Sequence, residues 1–206
     1  MTDSLRSESK LVTPEEFLPV AILSDTMAVD TETTDIEKTD IRDGSGFAYG
    51  ISAAVLRNNI YYSTYVPVRH TKGNISDELR DNFFDVIRTR KRIVFHNAKF
   101  DLPSMKTTGY SGEYIRWYCT MLMAHMLNEN IPKGLDWLAK YELKEPGKNK
   151  PPLWEFMFAI HGWHPDFPAE VMALYAAEDA VLTLKLFYRL YPYFKKSGFD
   201  GQMPGL

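Results

Sequence analysis

Short apolar runs that break abruptly into polar residues mark the first half of the chain. Met27-Ala28-Val29-Asp30-Thr31 is one of them: it predicts a short strand, apolar at first, that turns abruptly into charge. Phe47 to Leu56 and Ile60 to Val66 predict two more strands, with Arg57-Asn58-Asn59 as a hairpin turn between them. Ile93-Val94-Phe95 predicts another buried strand that leads directly into His96-Asn97-Ala98-Lys99-Phe100-Asp101. Helical spacing takes over elsewhere. Thr13-Pro14-Glu15-Glu16 has the order of a capped helix start. Ser76 stands before a stripe of Leu79, Phe83, Val86 and Ile87. Further helices are predicted around Met121 to Met126, Leu135 to Tyr141, Leu153 to Ile160 and Ala169 to Tyr191.

Strands in the first half and helices in the second predict one α/β domain around a mixed sheet, spanning residues 13–206 behind a mobile tail at 1–12. The segment between Lys144 and Pro152, with Lys148 and Lys150, predicts an exposed loop. Composition narrows the function classes. The formal net charge is −3, which argues against a protein that coats nucleic acid by charge alone. It leaves a nuclease open, because carboxylates lower the formal charge and bound divalent cations restore it locally. Cys119 is the single cysteine, so neither an internal disulfide nor a cysteine-rich zinc site can form. The polar N-terminus has no apolar signal core and no run is long enough to span a bilayer, so the expected location is cytoplasmic, away from membranes. His161 and His164 make a poor zinc site without further ligands and read as surface residues.

Three acidic elements carry the candidate chemistry. Asp30 and Glu32 are two apart, so a strand points both to one face. There they repel, and a divalent metal ion would turn that repulsion into attraction; a strand ending at Asp30 with both acids in water is the plain alternative. Asp101 follows the apolar run at 93–95, either as a ligand at a strand-to-helix junction or as a helix cap. Tyr175 and Asp179 are four apart on one helix face, as a functional pair or a structural hydrogen bond. Arg69-His70 has no assignment from sequence.

Together these segments resemble a known family. Asp30-Thr31-Glu32-Thr33, His96 through Asp101, and Tyr175-Ala176-Ala177-Glu178-Asp179 are similar to the tyrosine-type DEDD (DnaQ-like) 3′→5′ exonucleases. The likeness is to the proofreading domains of phage and bacterial family A DNA polymerases, with Thr120 to Ala124 and Gly134 to Ala139 adding to it. It covers roughly residues 14–193. Cys119 departs from the family, which often has an aspartate there; this puts local helix capping in doubt rather than catalysis.

The resemblance implies a ribonuclease H-like fold, a mixed sheet flanked by helices. It implies two magnesium or manganese ions that serve hydrolysis of the 3′-terminal phosphodiester of single-stranded or frayed DNA. Asp30 would bridge both ions, Glu32 and Asp179 would complete the first site, and Asp101 would hold the second through water. Tyr175 would orient the attacking water. Thr31, Ile36 and Asn97 match substrate-contacting positions, Ile36 as a wedge against the terminal bases. A DNA polymerase, fused or separate, would be the partner. An exoribonuclease of the same superfamily and a catalytically silent polymerase-binding module are the competing readings.

Overall fold

The computed structural model describes residues 8–34, 41, 44, 46–112, 116–145 and 165–200. Its elements in chain order are β1 (Ser9–Leu11), α1 (Pro14–Ile22), β2 (Thr26–Thr33), β3 (Ala48–Arg57), β4 (Ile60–Pro67), α2 (Asp77–Thr89), β5 (Arg92–Phe95), α3 (Ala98–Thr107), β6 (Trp117–Cys119), α4 (Thr120–Leu127), α5 (Leu135–Leu138) with a π turn at Ala139–Leu143, and α6 (Ala169–Lys196). The strands form one mixed sheet in the order β1-β4-β3-β2-β5-β6. β2 and β3, and β3 and β4, are antiparallel; β2 with β5, β5 with β6 and β1 with β4 are parallel.

β2 lies inside the sheet, and helices cover both faces of it. Met27 and Val29 turn to one side, where they join Phe17 of α1, Phe83 and Ile87 of α2, and Leu102 and Met105 of α3. Ala28 turns to the other, into a cluster with Met123 of α4, Leu138 of α5, and Ala180, Leu184 and Phe187 of α6. A strand buried on both faces must be apolar at consecutive positions, which is why 27–29 reads as an unbroken run. This three-layer ribonuclease H-like α/β arrangement is the expected fold class.

Local signals formed as expected in several places. Thr13 and Glu16 close a reciprocal capping box at the start of α1. The Leu79 N–H donates to the Ser76 hydroxyl at the start of α2. Asn58 and Asn59 both take positive φ, 49° and 62°, the conformation of a tight hairpin turn.

Other expectations need correction. Ser9–Leu11, inside the segment read as a mobile tail, pairs in parallel with Tyr61–Ser63, so the sheet begins before residue 13. Its three exposed side chains carry no strand signal; backbone pairing adds it to the edge. Trp117–Cys119 is a strand too short to show a period. The helix expected through Tyr141 relaxes into the π turn, closed by Lys144 in the left-handed region and by the Glu145 N–H reaching back to the Ala139 carbonyl. α6 continues past Tyr191 to Lys196. Residues 146–164, including the expected helix at 153–160, most of the lysine segment, His161 and His164, lie outside the described residues. No helix among the described residues is long and apolar enough to cross a membrane.

Candidate active site

Alternation along β2 decides where the acids go. Odd-numbered positions face α1, α2 and α3, and even-numbered positions face α6. Asp30 and Glu32 therefore continue the face of Ala28, toward α6. Asp179 arrives there from that helix. Oxygens of Asp30, Glu32 and Asp179 all lie within 4.8 Å of one another, with Glu32 and Asp179 buried and Asp30 half-buried. Like charges this close repel, and burial deepens the cost. Divalent cations would offset both, and the set offers oxygen donors alone, the ligands that magnesium and manganese prefer.

Asp101 comes from the opposite layer. It occupies the first turn of α3, just beyond the carboxyl end of β5, and is 2% exposed. Thr31, pointing away from Asp30 and Glu32, donates its hydroxyl proton to Asp101 Oδ1 at 2.9 Å. The central strand thus holds two carboxylates on one face and orients another through the residue between them. Asp101 is not one of the three acids whose oxygens all lie within 4.8 Å of one another. It is not the cap of α3 either: that position belongs to Asn97, whose side chain makes no capping hydrogen bond and is half-buried. Ile36 lies outside the described residues.

Tyr175 is one turn before Asp179 on α6, half-buried at the rim of an aromatic cluster of Tyr49, Tyr65 and Phe167, with Phe47 on the same rim. Sequence reasoning missed this wall. Gly50 pairs with Glu32 in the ladder, and a β-carbon on it would stand 1.8 Å from the Tyr65 hydroxyl. Glycine is required there because the Tyr65 ring lies across the strand. Burial first, and Glu32 second, push the Tyr49 and Tyr65 hydroxyls far above their ordinary value of 10, so both stay neutral. The Tyr65 hydroxyl meets His70 Nε2 at 2.7 Å, and His70 Nδ1 meets the Phe167 carbonyl at 2.9 Å. A carbonyl can only accept, so Nδ1 carries the proton and Nε2 accepts from Tyr65. Burial holds the imidazole below its ordinary value, consistent with that neutral form. His70 thereby fastens the segment that enters α6, the helix bearing Tyr175 and Asp179. Tyr49 of β3 and Tyr65 of β4 were the available signal, and they read as ordinary strand residues.

Cys119 precedes α4 without a side-chain capping bond. Its thiol donates to the His96 carbonyl at 3.3 Å instead. The consequence of the missing aspartate is local.

Comparison with known proteins bears on the fold and the family. No curated protein matches the chain by sequence. Among solved structures, the chain is similar to Brucella melitensis NrnC, at 15% identity and a TM-score of 0.63, covering 95% of this chain and 85% of that one. NrnC has also been solved with bound Mg2+ and bound to pGG. Similarity extends to the Aedes aegypti Nibbler EXO domain, at 14% identity and a TM-score of 0.59, covering 96% of this chain and 93% of that one. It extends too to Escherichia coli RNase D, an exoribonuclease involved in structured RNA processing, at 13% identity and 0.61, covering 94% of this chain and 47% of that one. At such identities the likeness concerns the fold. A family model described as 3′-5′ exonuclease, and named for DNA polymerase A, matches residues 10–194, nearly the whole chain, and by that match the protein belongs to the 3′-5′ exonuclease family.

Proposed function

We propose that this member of the family hydrolyses the 3′-terminal phosphodiester of single-stranded or frayed DNA, releases nucleoside monophosphates, and serves as a proofreading activity. The observation that carries the reading is the convergence of Asp30, Glu32 and Asp179 beside Tyr175. The cofactors are two divalent metal ions, with which the all-oxygen donor set agrees. When bound, such ions acidify a water and stabilise the attacking and leaving oxygens of an in-line displacement.

The chain's own residues supply position. Asp30, the half-buried member of the cluster, would be the ligand shared between the ions. Glu32 and Asp179 would complete the first site. Asp101, oriented by Thr31, would serve the second through water. Tyr175 orients the attacking water by a hydrogen bond, since a phenol with an ordinary pKa near 10 is a poor base at neutral pH. Asn97, whose side chain makes no capping bond at the start of α3, and Ile36 are the positions that the family resemblance sets against the 3′-terminal nucleotides.

The DNA reading is supported by the motif likeness to polymerase proofreading domains and by the name of the matching family model. An RNA reading has its own support in the structural neighbours, RNase D among them. Paired DNA and RNA oligonucleotides of one sequence, labelled at the 5′ end, separate the two. The expected result is a descending ladder from DNA that needs magnesium and stops with chelator. Preference for RNA by more than tenfold in kcat/KM overturns the DNA assignment and leaves the exonuclease assignment standing. No metal-dependent cleavage of either overturns both and favours a silent polymerase-binding module.

A further inference from the structure

The carboxylate site must hold a polyanion, and the sheet presents one well-placed cation to it. Arg69 is exposed and follows β4 at the same end of the sheet as Glu32: Gly50 pairs with Glu32 on one side and with Pro67 on the other. Its backbone is pinned, because the N–H groups of Val68 and Arg69 both donate to the Tyr49 carbonyl, at 3.0 and 3.1 Å. Its side chain is held as well. The guanidinium carbon stands 3.9 Å from the centroid of the Phe47 ring, and Nη1 donates to the Thr107 carbonyl at 3.2 Å. Among the described residues it forms no ion pair, whereas Arg80, Arg88 and Arg189 each face a carboxylate.

A guanidinium carries five N–H donors in one plane. Stacking on Phe47 uses the face and Thr107 uses one donor, and among the described residues the other donors of the fork make no hydrogen bond. Phe47 shares the rim of the aromatic cluster with Tyr175, which places the arginine next to the path of the strand rather than on a remote surface. Phe47 is three residues from Gly50, about 10 Å along an extended strand. That is too far for the phosphate held by the carboxylates and suits a neighbouring one.

We propose that Arg69, stacked on Phe47 and tethered to Thr107, is a substrate-binding residue that clamps a non-scissile backbone phosphate of the strand being digested. This rests on the exonuclease reading. A planar fork matches a phosphate with two parallel hydrogen bonds, which a lysine in the same place cannot reproduce.

The test uses the full chain and a 5′-fluorescent single-stranded DNA oligonucleotide, with calcium in place of magnesium to hold the complex uncleaved. Anisotropy titrations across a series of potassium chloride concentrations compare wild type with Arg69→Ala and Arg69→Lys. The alanine variant should bind about tenfold more weakly, and its slope of log Kd against log salt should be shallower by about one. The lysine variant should keep the slope and lose part of the affinity, so it remains informative if the alanine variant folds poorly. In magnesium the loss should appear in KM more than in kcat. Oligonucleotides carrying a single neutral methylphosphonate then locate the contact. At one internal linkage the substitution should weaken wild type and leave Arg69→Ala unaffected. An unchanged salt slope, or an equal cost in both proteins at every linkage, reduces Arg69 to a structural bracket and overturns the proposal. Absence of metal-dependent cleavage by wild type instead overturns the exonuclease reading itself.

Discussion

Three carboxylates whose oxygens lie within 4.8 Å of one another oppose folding until cations arrive. Replacing Asp30 and Glu32 with Asn and Gln should abolish cleavage without unfolding the protein. In chelator the double variant should melt no lower than wild type. Wild type should gain about 2.7 kcal/mol at a magnesium concentration one hundred times its Kd, and the variant should gain almost none; thermal melts with and without magnesium read this directly. Tyr175→Phe removes one hydroxyl and leaves the ring in its rim position. Single-turnover cleavage should slow, by less than for Asp179→Ala, and DNA binding should persist; a Tyr175→Phe protein as fast as wild type refutes the water-orienting role. His70 gives a pH prediction. Its folded value lies below the ordinary 6.5, so the unfolded chain binds the extra proton first. The stability it contributes is complete above pH 6.5 and is lost as pH falls from there toward the folded value, by at most about 1.4 kcal/mol per pH unit. His70→Asn should therefore differ most from wild type near neutrality and less on acidification, measured by urea unfolding across that window. At this scale the acids were legible because charge at the end of an apolar run is anomalous. Thr31 as the support of Asp101, and Gly50 as the space for Tyr65, were not, since both depend on what a distant residue places opposite.

α1 and α2 end at a common clamp. Arg90 closes α2 and donates to the carbonyls of Ala21, Ile22 and Ser24 at 2.8, 2.6 and 2.7 Å, and to Val86 at 3.1 Å. Its guanidinium is buried, and burial lowers its pKa. Arg90→Met keeps much of the volume and orphans those carbonyls, so stability should fall by roughly 3 kcal/mol in chemical unfolding, with the slope of the transition unchanged. A loss under 1 kcal/mol would show that water replaces the clamp. Elements with local chemistry were readable from the chain. The Thr13 box, the Ser76 cap and the Asn58-Asn59 turn are each decided within four residues. Arg90, the π turn after Leu138 and the strand at Trp117 are decided by packing partners far along the sequence, and no local pattern announces them.

The whole molecule carries a formal charge of −3 and must hold a polyanion. Few phosphates can be neutralised, so the isolated chain should act distributively, removing a few nucleotides per encounter. Stacking of terminal bases on apolar and aromatic side chains then supplies much of the grip. On the proofreading function proposed above, a polymerase that holds the duplex, attached or separate, would raise the local concentration of the 3′ end. Cleavage of pre-bound labelled DNA in excess unlabelled competitor checks this: complete digestion of a long strand in one encounter rules out the dependence. At this scale the sequence spoke for a mixed sheet between helices, while the strand order and the edge strand at Ser9 came only with the structure. A last consequence follows from the placement of Asp101 and Asp179 on helices that cover opposite faces of β2. A folding intermediate with only one layer docked would lack part of the constellation and should not cleave nucleic acid. Asp179 is also the last of the four acids in chain order. A chain whose α6 has not yet docked should therefore not cleave, and cleavage can serve as a clock for the arrival of α6 in refolding experiments.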